Sequence, residues 1–243
     1  MATQEVNLTQ NFRICAIIPA YNEEANIVDT LRDLQSERPD ILPIVVNDGS
    51  KDRTATLARR PGVVLLSLPV NLGIGGTVQA GMKYAREHKF DMAIQFDGDG
   101  QHLATEIHKI LEPLIKGESD VVIGSRFLEK TPGSVSIYRR SGIRVLMSII
   151  ALVTGRKFTD STSGFRAYGP TAIEYLADNY PQDYPEPEAI VVLHRHRFLL
   201  KEVSVTMVKR KGGKTSISPS TSVYYMTKVI LATIVAATRR YHF

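Results

Sequence analysis

The sequence predicts an α/β fold: a mostly parallel sheet with helices on both faces. Three observations lead there. Short apolar runs alternate with segments of helical spacing through the first half of the chain. Polar turns, several rich in glycine, close the apolar runs. The chain has 243 residues and 43% hydrophobic content, enough to bury one large core without disulfides or a structural metal.

Each element has its own reason. Residues 13–19 are apolar and end at a proline, as a buried strand does. Residues 23–34 carry Ile27, Leu31 and Leu34 on one helical face. Residues 40–46 form a second strand, closed by the turn Asn47-Asp48-Gly49-Ser50. A helix over 54–60 leads to a third strand over 63–68. The glycine-rich stretch Asn71 to Gly76 then opens a helix predicted over 76–88. A fourth strand over 91–96 runs into Asp97-Gly98-Asp99-Gly100, followed by a helix over 104–116 and a fifth strand over 120–124. Beyond it, 129–136 reads as a loop and 140–153 as an apolar helix. Residues 160–168 are polar, and 179–187 form a loop holding Pro181, Pro185 and Pro187. A helix over 188–195, a strand over 198–208, a basic loop over 209–214 and an apolar amphipathic helix over 222–238 complete the chain. The expected organisation is one domain over 1–243: a nucleotide-binding half (13–128), an acceptor-side half (129–218) and the C-terminal helix (219–243). In such sheets ligands bind beyond the carboxyl ends of the strands, where the turns at 47–50, 71–76 and 97–102 all fall.

Composition narrows the function. The globular proportions exclude a disordered chain. The single cysteine, Cys15, lies in an apolar run, which excludes an intramolecular disulfide framework and a cysteine-rich zinc site. The absence of disulfides fits a reducing cytoplasm. A net charge of +5 and a pI near 9.3 allow nucleic acid, an anionic lipid or a phosphorylated ligand. With 7% aromatics and no tryptophan to stack bases, no nucleic-acid partner is expected. The polar first eleven residues do not resemble a signal peptide, and no apolar run reaches the length of a membrane span.

Several motifs carry chemistry, each beside a plainer reading. Asp97 and Asp99 sit one residue apart on a turn and can face one hard cation, with the Gln101 amide and His102 close by. An Asp-Gly turn at a strand end is the alternative. Asn71-Leu72-Gly73-Ile74-Gly75-Gly76 could admit a phosphate to a helix N-terminus, yet it matches neither a dinucleotide fingerprint nor a P-loop, and a plain turn explains it better. Asp48 could meet a ribose or base edge, or cap a helix. His194 and His196 lack a third ligand and read as surface histidines. The basic residues Arg126, Arg139, Arg140, Arg166, Lys209, Arg210, Lys211 and Lys214 are either solvated charges or a set converging on phosphate.

Taken as an ordered set, the motifs resemble the inverting family 2 glycosyltransferases, which have the GT-A fold, a Rossmann-like sheet. The set is Pro19-Ala20-Tyr21-Asn22-Glu23-Glu24, Asn47-Asp48-Gly49-Ser50, Asn71-x-Gly73-x-Gly75-Gly76 and Asp97-Gly98-Asp99-Gly100-Gln101-His102. Gly124-Ser125-Arg126 and Ser163-Gly164-Phe165-Arg166 make it similar to the branch that builds dolichyl- or polyprenyl-phosphate sugars. The resemblance covers residues 13 to 218. It implies a donor site of Pro19, Tyr21, Glu23, Asp48, Gly76, Asp97, Arg126 and Lys211. It implies a Mg²⁺ or Mn²⁺ site of Asp97, Asp99 and Gln101. Arg126, Arg140, Asp183 and Ser163 fall on the acceptor side, and Asp99, Glu186, Glu188 and Arg166 take catalytic roles.

The expected reaction moves a hexose from a nucleotide-diphosphate sugar, UDP favoured, to a polyprenyl phosphate or a cell-envelope glycan. A lipid phosphate is already anionic and needs no base. A sugar hydroxyl needs a carboxylate to take its proton, and Asp183, Glu186 and Glu188 are the candidates. The acidic, proline-rich acceptor loop over 183–188 leaves both acceptors open. Either apolar helix, flanked by arginines, suits a membrane surface, with core packing or a dimer interface as the plainer alternative, and for the C-terminal helix membrane and oligomer contact stand equal; the expected location is the cytoplasm, including the inner face of the membrane. Two rivals stand beside this reading. A sugar-1-phosphate nucleotidyltransferase would need a glycine-rich basic loop on the first strand–helix turn, where Ala20 to Glu24 has none. A non-catalytic nucleotide- or nucleic-acid-binding module would not need the Asp97, Asp99 and Gln101 set.

Overall fold

The structure is a computed structural model. It describes residues 12–129 and 137–208, with 228, 229, 231–233 and 235; for 137–145 only the backbone is described.

Seven strands form one sheet in the order β3-β2-β1-β4-β6-β5-β7. In chain order they are β1 (Ile14–Ala20), β2 (Ile41–Asn47), β3 (Val64–Ser67), β4 (Met92–Gln95), β5 (Val121–Ser125), β6 (Arg166–Tyr168) and β7 (Leu200–Ser204). All pairings are parallel except those of β6, which runs antiparallel between β4 and β5. The central strands are apolar throughout because both faces are covered. Every residue of β1, β4 and β5 is buried. One face packs on α1 (Ile27–Glu37), α2 (Thr54–Ala58) and α4 (Ile107–Ile115). The other packs on α3 (Gly73–Glu87), α5 (Ile137–Thr154), α6 (Pro170–Asn179) and α7 (Pro185–Arg195).

The sheet draws on both halves of the chain, since β6 and β7 complete what β4 and β5 begin. Three differences from the sequence reading have physical causes. The stretch 160–168 contains β6, a strand that a buried arginine disguises. An unread helix, α6, follows it, opened by Pro170 at its first position, where proline costs no hydrogen bond. Helix α7 begins at Pro185 rather than 188, because Pro185 and Pro187 lie in its first turn, where N–H groups have no intrahelical partner. The strand expected over 198–208 is shorter, yet Met207 still forms a bridge to His102. Cys15 is buried, and burial raises its thiol pKa. Among the described residues no helix is long and apolar enough to cross a membrane. The basic loop over 209–214, the loop over 130–136 and most of the final helix lie outside the described residues.

Candidate active site

The carboxyl ends of β1, β2, β4 and β5 bring the predicted residues to one edge of the sheet. Near the end of β1, Pro19 lends its carbonyl as a wall: a Cβ on Gly98 would stand 3.0 Å from that oxygen, so the residue between the two aspartates has little room to be larger. Tyr21 is exposed beside it. Glu23 is buried, its backbone N–H donated to Thr54 Oγ1 at 2.8 Å and its carboxylate accepting Asn26 Nδ2 at 2.8 Å. Asp48, after β2, is also buried. Its two oxygens accept the backbone N–H groups of Leu72 (2.7 Å) and Gly73 (3.0 Å). Asp48 therefore caps α3 across 24 residues of sequence.

That cap explains why α3 starts at Gly73, three residues before the predicted start. It also corrects the glycine-rich stretch. A Cβ on Gly75 would meet the Pro181 carbonyl below contact distance, and Gly76 packs on Leu72 and the Gln182 side chain. These glycines admit the 181–182 segment against α3, and the helix N-terminus is occupied by Asp48.

The acidic turn follows β4. Asp99 Oδ1 accepts the Gln101 N–H at 3.0 Å, and the Gln101 amide nitrogen reaches the Val208 carbonyl at 3.4 Å, which leaves its amide oxygen available. His102 is buried and braces the turn. Its Nδ1 accepts the Asp97 N–H at 3.0 Å, so the neutral ring carries its proton on Nε2, 3.5 Å from Asp97 Oδ2. Burial pushes the ring's pKa down to about 4, and it stacks on Phe165 at 4.7 Å. Asp97 has its pKa pushed up to about 7, by burial first and by the facing charge of Asp99 second. Two carboxylates in such opposition suit a divalent cation, which would relieve both terms. Among the described residues no group of three His, Cys, Asp or Glu side chains is placed to hold a metal ion. Two carboxylates and an amide oxygen fit an ion that keeps open positions for phosphate oxygens.

Arg126, after β5, faces this turn from the far side and is fixed by Asp160. Two expected substrate contacts turn inward instead. Arg166 is fully buried, and its guanidinium donates to the carbonyls of Ser163 (2.8 Å), Ser161 (3.3 Å) and Glu186 (2.8 Å). Ser163 is buried too, its Oγ accepting the Phe165 N–H at 3.3 Å. Both residues hold the 160–166 loop against the start of α7.

The acceptor-loop acids separate by environment. Glu188 Oε1 accepts the Tyr184 N–H at 2.8 Å and closes the first turn of its own helix. Asp183 is exposed. Glu186 is half-buried, and burial raises its pKa against the lowering effect of Arg166. Arg140 lies on α5 with its side chain outside the described residues, and Lys211 lies outside them altogether. His194 and His196 sit at the end of α7, where the His196 ring packs on Tyr175. Sequence reasoning missed Gln95, Asp160 and Glu202. Gln95 is a polar residue in an otherwise apolar strand, and that was the signal available for it.

Residues 15–176 match the model of glycosyl transferase family 2. The chain belongs to that family. The acidic turn after β4 lies within the matched residues. Among its relatives is the UDP-N-acetylglucosamine–dolichyl-phosphate N-acetylglucosaminyltransferase of Methanococcus voltae, 31% identical over 215 residues, covering 80% of this chain and 85% of that one. The undecaprenyl-phosphate mannosyltransferase of Micrococcus luteus is 28% identical over 218 residues, covering 85% and 88%. The fold matches glucosyl-3-phosphoglycerate synthase from Mycobacterium tuberculosis, solved with Mn²⁺, UDP-glucose and phosphoglyceric acid. The TM-score is 0.72 at 18% identity, over 96% of this chain and 82% of that one. The predicted GT-A fold class holds, with β6 as its antiparallel member.

Proposed function

We propose that this glycosyltransferase moves a hexose from a UDP-sugar to a polyprenyl phosphate, with Mg²⁺ or Mn²⁺ at Asp97, Asp99 and Gln101. The observation that carries the reading is the pairing of the acidic turn after β4 with Arg126 after β5. A cation site for the leaving diphosphate and an anion contact for the incoming phosphate would then lie close enough for Arg126 and Asp97 to interact electrostatically. The family relatives named for dolichyl- and undecaprenyl-phosphate support the acceptor. The metal, when bound, neutralises the diphosphate and makes it a better leaving group.

The residues divide the work. Pro19, Tyr21, Glu23 and Asp48 form the nucleotide side, with Asp48 also holding the α3 end in place and Gly76 lining the wall behind it. Asp97 and Asp99, with Gln101, would hold the ion beside the diphosphate end. Arg126 takes the acceptor phosphate, and Arg140 and Lys211 add positive charge. Arg166 and Ser163 act from within, by fixing the loop that carries them. An acceptor phosphate oxygen forms the new bond to the anomeric carbon. The bond from that carbon to the diphosphate breaks, and UDP leaves with the electron pair. Attack from the face opposite the diphosphate inverts the anomeric centre.

Glu186 favours a second reading, a sugar-hydroxyl acceptor. It is the acid of the 183–188 loop that is neither exposed nor engaged as a cap, and a raised pKa suits a general base. One experiment separates the two. Labelled UDP-glucose, UDP-N-acetylglucosamine and GDP-mannose are offered with a polyprenyl phosphate and, separately, with a glycan acceptor, with Mn²⁺ or with chelator. Chelator-sensitive label in the lipid phase is the expected result. Label only in the glycan, lost in Glu186→Gln, would overturn the lipid acceptor.

A further inference from the structure

Arg126 does not stand free. Its Nε and Nη2 donate to the two oxygens of Asp160 at 2.6 and 2.7 Å, and its backbone N–H reaches the same carboxylate at 3.2 Å. Nη2 also donates to Thr162 Oγ1 at 3.1 Å. Among the described residues Nη1 has no hydrogen-bond partner, and the guanidinium interacts electrostatically with Asp97. Asp160 is fully buried, so its charge needs both this partner and a fixed loop.

The loop is fixed from β7. The Glu202 carboxylate accepts the Thr159 N–H at 2.8 Å, the Asp160 N–H at 2.9 Å and Thr159 Oγ1 at 3.2 Å. Thr159 Oγ1 in turn shares a 2.6 Å bond with Ser125 Oγ, beside Arg126 on β5. A chain of charged and hydrogen-bonded groups thus runs from Glu202 through Asp160 to Arg126. It lies two strands beyond β4, on the β5–β7 side of the sheet, away from the nucleotide side at β1 and β2.

We propose that Glu202 and Asp160 are positioning residues that aim the Nη1 group of Arg126 at a phosphate oxygen of the acceptor. The inference rests on the proposed function for the identity of that phosphate. Its physical content is a trade. Asp160 cancels much of the Arg126 charge, so Arg126 presents to the site one oriented pair of N–H donors rather than a mobile cation. The phosphate is then recognised by geometry, and losing either acid costs alignment although it adds net positive charge. Simple electrostatics predicts the reverse, tighter phosphate binding once an acid is neutralised.

The test measures binding of citronellyl phosphate, a short polyprenyl phosphate, to the full chain in the presence of Mn²⁺ and UDP. Wild type is compared with Glu202→Gln, Asp160→Asn and Thr162→Val. Glu202→Gln and Asp160→Asn are expected to weaken citronellyl phosphate about tenfold, the scale of one charge-assisted hydrogen bond, while UDP affinity with Mn²⁺ stays within about twofold. Thr162 is exposed, so Thr162→Val probes the same guanidinium without risk to folding, and a loss of about threefold is expected. Where turnover is seen, acceptor KM rises and donor KM does not. Unchanged or tighter citronellyl phosphate binding in all three variants would overturn the inference, as would UDP affinity falling in step with it. So would a wild type that does not bind citronellyl phosphate. Wild-type binding weakened as expected, but without transfer, would sustain the inference and overturn the proposed function.

Discussion

Asp97 carries the sharpest expectation at the scale of single residues. Its pKa of about 7 lies above the ordinary carboxylate value because burial and Asp99 both oppose its charge. A folded pKa above the unfolded one means that the metal-free protein holds the extra proton between those values. Stability is then greatest at low pH and falls as pH rises through about 7. Asp97→Asn should therefore raise the melting temperature of the metal-free protein more at pH 8 than at pH 5. An equal effect at both pH values would place the strain elsewhere. Mn²⁺ must displace the same proton, so its affinity should climb as pH passes through about 7 in wild type. Arg166 makes the opposite kind of prediction. Its guanidinium serves three carbonyls within the fold, so Arg166→Met should cost about 3 kcal/mol of stability in denaturant unfolding, since unpaired buried carbonyls remain. Loss of activity with full stability would show instead that Arg166 meets substrate. The two arginines look alike in sequence. Only the fold separates Arg166, on a buried strand, from Arg126, at a strand end.

Helix α3 shows most clearly what an element's sequence does and does not declare. Its place after a glycine-rich stretch was legible. Its start was not, because the capping carboxylate, Asp48, lies on another loop. The glycines were legible as a signal but not in their role, which is contact with Pro181 and Gln182, more than 100 residues on. Gly75→Ala should destabilise by about 1–3 kcal/mol, since a methyl group would collide with the Pro181 backbone rather than a movable side chain. Thermal unfolding checks it, and a neutral effect would show that the 181–182 segment yields. Strand β6 escaped the sequence for a related reason. It is three residues long, and its first, Arg166, is charged yet buried. Alternation and hydrophobic content are blind to a strand of that kind. The carboxylates of the acidic turn were legible because chain order alone brings them together. The Glu202–Asp160–Arg126 chain was not, since its members lie 34 and 42 residues apart and on three elements.

The whole molecule is one sheet shared between its halves. Strand β5 pairs only with β6 and β7, and β4 loses a neighbour without β6. A fragment ending at residue 128 should therefore fail to unfold cooperatively, although it contains the nucleotide-side turns and the acidic pair. A sharp thermal transition in that fragment would show that the first half folds alone. The same topology sets the acidic turn between the turns after β1 and β2 on one side and the β5 and β7 segments on the other, which the proposed function assigns to nucleotide and acceptor. The proposed function stands on nucleotide diphosphate binding at this turn through a divalent cation. Calorimetric titration of UDP into the full chain, with Mn²⁺ and then with chelator, is the measurement to make. Saturable UDP binding with Mn²⁺ that chelator abolishes and that Asp99→Ala loses is expected. UDP binding of equal strength with chelator, or undiminished in Asp99→Ala, would contradict it.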